Sequence, residues 1–122
     1  MKKTKIKWLS KPQKRDYPAA QSYLSLHFEP RVATKIVDKL KRAKITEYAA
    51  KDIFRASGLS LLGVSNSHVE KDRAQIIINE ALSPLLLCRD KGHGKLIIAD
   101  GYHRLCAVYT FDEDAMIPCR IV

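Results

Sequence analysis

Hydrophobic and polar positions along this chain follow two periods, and the change of period marks out its elements. Val32, Ile36, Val37 and Leu40 recur at helical spacing, while Arg31, Lys35, Lys39, Lys41 and Arg42 fill the other face around a lone acid, Asp38. Pro30 is placed to open that helix. Upstream, Asp16 reads as an N-cap with Pro18 in the first turn. The helix it starts runs from Tyr17 to Phe28 and offers Tyr23, Leu24, Leu26 and His27 for a buried stripe.

From Ile45 the pattern shortens. Ile45–Ala50 predicts a short strand or an extended lead-in, followed by Lys51–Ser57 and a break at Gly58. Leu59–Val64 is apolar, and Ser65-Asn66-Ser67 is turn chemistry. Ser67, with Glu70 at capping-box spacing, predicts a helix from His68 to about Asn79. Val69 and Ile76, with Ile77 beside them, face inward; Lys71, Asp72 and Arg73 face out. Then follow a strand Leu85–Arg89, a hairpin Asp90–Gly94, a strand Lys95–Ala99, a helix Tyr102–Tyr109 and a last strand Ile117–Val122. The order predicts an α/β (α+β) fold, a small mixed β-sheet with surrounding helices. There is no internal repeat.

Composition narrows the frame. With 122 residues, 46% of them hydrophobic, residues 1–122 form one domain with a sizeable core. No apolar run is long enough to span a bilayer, so no membrane partner is expected. The cationic start lacks an apolar segment behind it, so secretion is not expected either. Cys88, Cys106 and Cys119 are odd in number and form no C-x-x-C. They read as small buried hydrophobes in a reducing, cytoplasmic setting, with no metal site.

The charge of +9 is uneven. Residues 1–44 carry 13 Lys/Arg against 3 acids, whereas residues 45–122 carry 9 against 10. Residues 1–44 are therefore a basic, mostly helical N-terminal part. Segments 1–15 and 31–44 can meet nucleic-acid phosphates by counterion release, or serve as solvated cationic surface. Trp8 and Tyr17 are the only aromatics near the first segment able to stack on a base.

The strand Lys95–Ala99 ends in Asp100-Gly101, followed at once by Tyr102-His103-Arg104 and a helical pattern. A strand–turn–helix of this kind presents backbone N–H groups and a helix's positive end, which suits an anion. Gly101 serves a backbone position that a side chain would obstruct. Arg104 brings a fork for phosphate oxygens and His103 a donor that titrates near neutrality. Asp100 is either a general base, a magnesium-side carboxylate or a plain helix N-cap. Tyr102 can stack on a base, bond a substrate or pack.

From Ser67 onward the sequence resembles the ParB/sulfiredoxin superfamily. The resemblance rests on the Ser67–Asn79 helix, Ser83-Pro84-Leu85-Leu86-Leu87, Lys95–Ala99, Gly101-Tyr102-His103-Arg104, Leu105–Tyr109 and Ile117–Val122. It covers residues 45–122 at most and implies a core of that fold, with a phosphate site at the turn. Sulfiredoxins place a nucleophilic cysteine where this chain has Tyr102, so their repair chemistry is not expected. Partition proteins continue into a helix-turn-helix domain, and this chain ends at Val122. The Asp-Gly-x-His-Arg turn looks more like that of free-serine kinases and related small-molecule phosphotransferases.

The resemblance implies a nucleotide or other phosphorylated ligand held by Gly101, Tyr102, His103 and Arg104, with Asp100 and His103 as catalytic residues. A nucleotide with magnesium is the cofactor in keeping with it. Arg55 sits where such proteins place a basic residue near the nucleotide; Ser57 can add a hydroxyl. Lys71 and Arg73 resemble basic helix positions that reach phosphates, and His68 can face the same cleft. All of these also read as solvated helix positions. His93 reads as a mobile hairpin tip and Asp112-Glu113-Asp114 as a solvated loop. The expected activity is phosphotransfer or nucleotide hydrolysis; the alternative is a non-enzymatic or nuclease-like nucleic-acid-binding module using the basic N-terminal part.

Overall fold

The computed structural model describes residues 5–63 and 65–122. Its helices are α1 (Asp16–His27), α2 (Pro30–Arg42), α3 (Ala50–Ser57), α4 (Ser67–Ile77) and α5 (Tyr102–Phe111). Its strands are β1 (Thr46–Ala49), β2 (Leu85–Asp90), β3 (Lys95–Asp100) and β4 (Met116–Ile121). They form one four-stranded sheet in the order β1-β4-β2-β3. β2 and β4 run parallel at its centre, and both flanking pairs are antiparallel. The fold is the expected α/β type with a mixed sheet.

Alternation along the strands explains the layering, because successive side chains leave a strand on opposite faces. Leu86 and Cys88 of β2, with Ile97 and Ala99 of β3, pack against Ala20 and Leu24 of α1 and Ala33, Val37 and Leu40 of α2. Leu85 and Leu87 point the other way, into a cluster with Ile53 of α3, Val69 and Ile76 of α4 and Leu105–Val108 of α5. The sheet is thus buried on both faces, which accounts for the unbroken apolar run Leu85–Cys88. A bulge between Leu86 and Leu87 sets Leu86 opposite Asp100 and Leu87 opposite Ile98.

Several local expectations shift by a residue or two. Asp16 lies in the first turn of α1 but no side chain caps that helix; Asp16 is buried instead. In α2, Ala33 joins Val37 and Leu40 in the core while Val32 stays exposed, so the buried stripe is rotated toward the smaller residue. Arg120 of β4 donates from Nη1 to the carbonyl oxygens of Leu40 (3.4 Å) and Lys41 (2.5 Å), answering the unpaired carbonyls at the end of α2. Gly58 stops α3 in the left-handed conformation, φ 67°.

The start of α4 corrects the capping assignment. Asn66, not Ser67, is the N-cap, and its Oδ1 accepts from the backbone N–H groups of His68 (3.0 Å) and Val69 (3.2 Å). Ile77 is exposed at 65%, so Val69 and Ile76 alone of the three anchor the helix.

The basic N-terminal segment is not a free arm over its described length. Leu9 N–H donates to Leu82 O and Leu82 N–H to Lys7 O, and Trp8 packs half-buried against the core. Trp8 is thus partly taken up by packing, while Lys5, Lys7, Lys11, Lys14 and Arg15 remain exposed. Lys2 and Lys3 lie outside the described residues. No helix of the described residues is long and apolar enough to cross a membrane.

Candidate functional site

β3 ends at Asp100 and α5 begins at Tyr102, so a single residue makes the turn. Gly101 does so at φ 108°, and a Cβ there would lie 2.7 Å from Leu85 Cγ and 3.0 Å from Arg104 Nη2. Glycine is required twice, by the backbone angle and by the approach of the fully buried Leu85. The expectation for Gly101 holds in this physical sense.

No side chain caps α5. The Asp100 carboxylate makes no cap bond to α5; its Oδ2 accepts from Arg104 Nη2 at 2.8 Å. Of the readings open for Asp100, the helix N-cap is thereby excluded. Among the described residues the first-turn N–H groups of α5 have no side-chain acceptor, the condition that favours an anion there.

Arg104 is more embedded than a free phosphate fork. Its side chain is 17% exposed; Nη2 also lies 3.8 Å from Asp16 Oδ2 and donates to Pro84 O at 3.4 Å. Asp16 Oδ2 is in turn held by Ser83 Oγ and by Gln13 N–H. Two carboxylates from distant parts of the chain thus share one guanidinium. Arg104 Nε is buried and has no partner among the described residues. Burial raises the Asp100 carboxyl above its ordinary range, Arg104 pulls it back, and neighbouring Asp16 raises it again.

Opposite the turn stands the first half of α4. Helical spacing places His68, Lys71 and Asp72 on one side, and with Asp100–Arg104 they line a cleft of about 160 Å³. The rings of His68 and His103 lie 4.8 Å apart. Burial lowers the His103 imidazole below its usual value; His68 adds to this, Asp72 opposes it and Arg104 lowers it further. Burial also raises the Asp72 carboxyl, against the attraction of Arg104, His103, Lys71 and His68.

This overturns the outward orientation expected for part of α4. Asp72 is half-buried in the cleft, and sequence reasoning missed it. The available signal was the i, i+4 spacing of His68 and Asp72 on a helix whose start faces the turn. Arg73 also fails to face solvent: its guanidinium sits 4.3 Å from the centre of the Phe111 ring and donates to Thr110 Oγ1. It joins α4 to α5 and does not line the cleft. Lys71 lines it from an exposed position on α4.

The other candidates divide. Tyr102 lines the cleft, but its hydroxyl donates to Ser60 O and its ring packs against the core, so it ties down the α3–α4 connection. Ser57 is buried; its Oγ donates to Phe54 O at 2.9 Å and accepts from Leu59 N–H at 3.3 Å. Its hydroxyl closes α3, which corrects its assignment to a phosphate. Arg55 is exposed on α3 and does not line the cleft. His93 is held by Asp90, Nδ1 to Oδ2 at 2.9 Å. Asp114 pairs with Lys51 at 2.6 Å. The three cysteines are free and buried, and burial pushes the Cys119 thiol up to about 11.

The donor set suits an anion. Lys71, His68, His103 and Arg104 line one small volume with the start of α5, four basic side chains against the two carboxylates of Asp72 and Asp100. A magnesium ion held by protein ligands alone would need several free carboxylate oxygens, whereas one bound together with a phosphate needs only one or two. Asp100 is committed to Arg104, and no group of three or more His, Cys, Asp or Glu among the described residues is placed to hold a metal. The residues do not fit a protein-held magnesium. At about 160 Å³ the cleft is smaller than cavities that enclose a whole small molecule. No protein-family model, curated protein or solved structure matches this chain.

Proposed function

We propose that this chain is a phosphate-binding domain of ParB/sulfiredoxin type, whose β3–α5 cleft takes the phosphate of a nucleotide or another phosphorylated ligand. The observation that carries the reading is the start of α5, with no side-chain cap, lying with His68 and Lys71 around a small polar cleft open to solvent. The order α4, β2, hairpin, β3, one-glycine turn, α5, β4 is in keeping with that superfamily. Lys71, His68, His103 and the first N–H groups of α5 hold the phosphate oxygens; Arg104 supplies background charge and braces Asp100. The remainder of the ligand lies outside the cleft.

Phosphoryl transfer or nucleotide hydrolysis is the chemistry in keeping with the site, since it needs positioning and charge neutralisation more than a covalent nucleophile. The carboxylate best placed to activate an acceptor is Asp72, because Asp100 is engaged by Arg104. The setting proposed is a reducing, cytoplasmic one, in keeping with three free buried thiols.

Thermal unfolding with inorganic phosphate and with nucleotides, with and without magnesium, tests the reading. A ligand at one hundred times its Kd stabilises by about 2.7 kcal/mol. At least one phosphorylated compound stabilises the wild type, and Lys71→Ala and His103→Ala each abolish the effect. Equal stabilisation of both variants, or none of the wild type by any compound, contradicts it.

A second reading rests on a separate observation. Arg31, Lys35, Lys39, Lys41 and Arg42 are all exposed along α2, on the opposite side of the sheet from the α3–α5 layer. This cationic face suits a nucleic-acid backbone. It predicts salt-sensitive binding that Lys35→Glu with Lys39→Glu weakens while phosphate binding at the cleft persists.

A further inference from the structure

A second, larger cavity lies at the other end of β3, away from the β3–α5 turn. Its volume is about 400 Å³, within the range that holds a small molecule. Leu87 of β2, Leu96 of β3 and Ile121 of β4 form its floor, and Ile53 and Ala56 of α3 its roof. Leu87 and Ile53 are core residues, whereas Leu96 and Ile121 are apolar side chains left half-buried. Here the hydrophobic core reaches the surface.

The mouth of this groove carries Arg89, Lys91 and Lys95 against Asp52 and Asp90. Asp90 is already engaged by His93, with 2.9 Å between Oδ2 and Nδ1. Among the described residues no carboxylate lies within ion-pair distance of Arg89, Lys91 or Lys95. Three cations therefore face a single unengaged carboxylate, Asp52, above an apolar floor. A ligand complementary to both features has an apolar body and a negative end.

We propose that this groove is a binding site for a small amphipathic anion, an aromatic or short acyl body bearing a carboxylate. The apolar body lies on Leu87, Leu96 and Ile121, and the carboxylate meets Arg89 and Lys95 at the mouth. Burial of the body supplies affinity; the charge pair supplies orientation and selects acids over neutral analogues. The site is independent of the phosphate cleft.

The probe is 4-phenylbutyrate, with 4-phenylbutanol as its uncharged counterpart, followed by amide chemical shifts of the full chain. The expected result is saturable shifts at Ala56, Arg89, Leu96 and Ile121, with the alcohol roughly tenfold weaker. Arg89→Glu with Lys95→Glu, both exposed positions, lowers affinity for the acid roughly tenfold and leaves the alcohol unchanged. Ala56→Trp fills the groove and abolishes both, which keeps the test decisive should the charge reversal disturb folding. No saturable shift at these residues, equal affinity for acid and alcohol, or shifts confined to Asp100–Arg104 overturns the proposal.

Discussion

Arg104 reaches back one helical turn to Asp100, with Nη2 2.8 Å from Oδ2, across the glycine that joins strand to helix. The same nitrogen lies 3.8 Å from Asp16, so this one guanidinium pins α1, the end of β3 and the start of α5 together. Removing it leaves two desolvated carboxylates facing each other. Arg104→Met is expected to destabilise the fold by about 3–5 kcal/mol, the loss typical of breaking a buried pair on one side. Adding Asp100→Asn recovers part of that loss. Urea unfolding of the two single variants and the double measures the coupling, and strict additivity contradicts the pairing.

Gly101 offers the sharpest steric test. Gly101→Ala forces a side chain into φ 108° and against Leu85, and is expected to lower stability by roughly 2–4 kcal/mol. Gly58→Ala has a comparable φ of 67° but open space around it, so it loses less. Equal losses at the two positions rule out the close contact as the cause.

The imidazole of His103 titrates below its ordinary value of 6.5 because it is partly desolvated and lies beside His68 and Arg104. Between that lowered value and 6.5 the unfolded chain binds more protons at this group than the folded one. Its contribution to stability therefore falls as pH drops through the window. A bound phosphate favours the charged ring and raises the midpoint, so binding takes up protons and strengthens toward acid pH. Proton NMR of the ring follows this directly; His68→Ala also raises the free midpoint. A midpoint unmoved by either change contradicts the arrangement.

Asp72 and Asp100 act in the opposite sense. Both carboxyls are raised by burial, so just above 3.8 the folded protein holds more protons than the unfolded chain and stability falls as pH rises. Asp72→Asn removes its share of this slope. Unfolding free energies across the acid range in wild type and variant check it, and parallel curves contradict it.

Asn66 caps the helix that carries His68, Lys71 and Asp72 to the cleft. Asn66→Ala is expected to cost about 1 kcal/mol in unfolding free energy. Ser67→Ala costs much less, the reverse of what capping-box spacing alone predicts.

What was legible in the chain was what depends on neighbours in sequence. The apolar run Leu85–Cys88, the hairpin at Asp90–Gly94 and the strand–glycine–helix at Asp100–Arg104 are local patterns, and each is found where the pattern puts it. Cap positions slipped by one, as at Asn66, because adjacent polar residues compete for the same role. Local sequence makes Asp16 look like a helix cap because its partners, Ser83 and Arg104, are far away in sequence and no periodicity reports them. Asp72 looks like a surface residue in the sequence because its helix has two contact sides: Val69 and Ile76 meet the core, while His68 and Asp72 meet the turn.

We propose that the start of α5, with His68, Lys71 and His103, forms an anion site. Titration of the full chain with inorganic phosphate, followed through the backbone amides of Tyr102 and His103, tests it most directly. Saturable shifts at those amides and at Lys71, lost in Lys71→Ala and stronger at lower pH, are the predicted result. Shifts that never saturate, or that spread along α2 while Tyr102 and His103 stay still, would contradict the account.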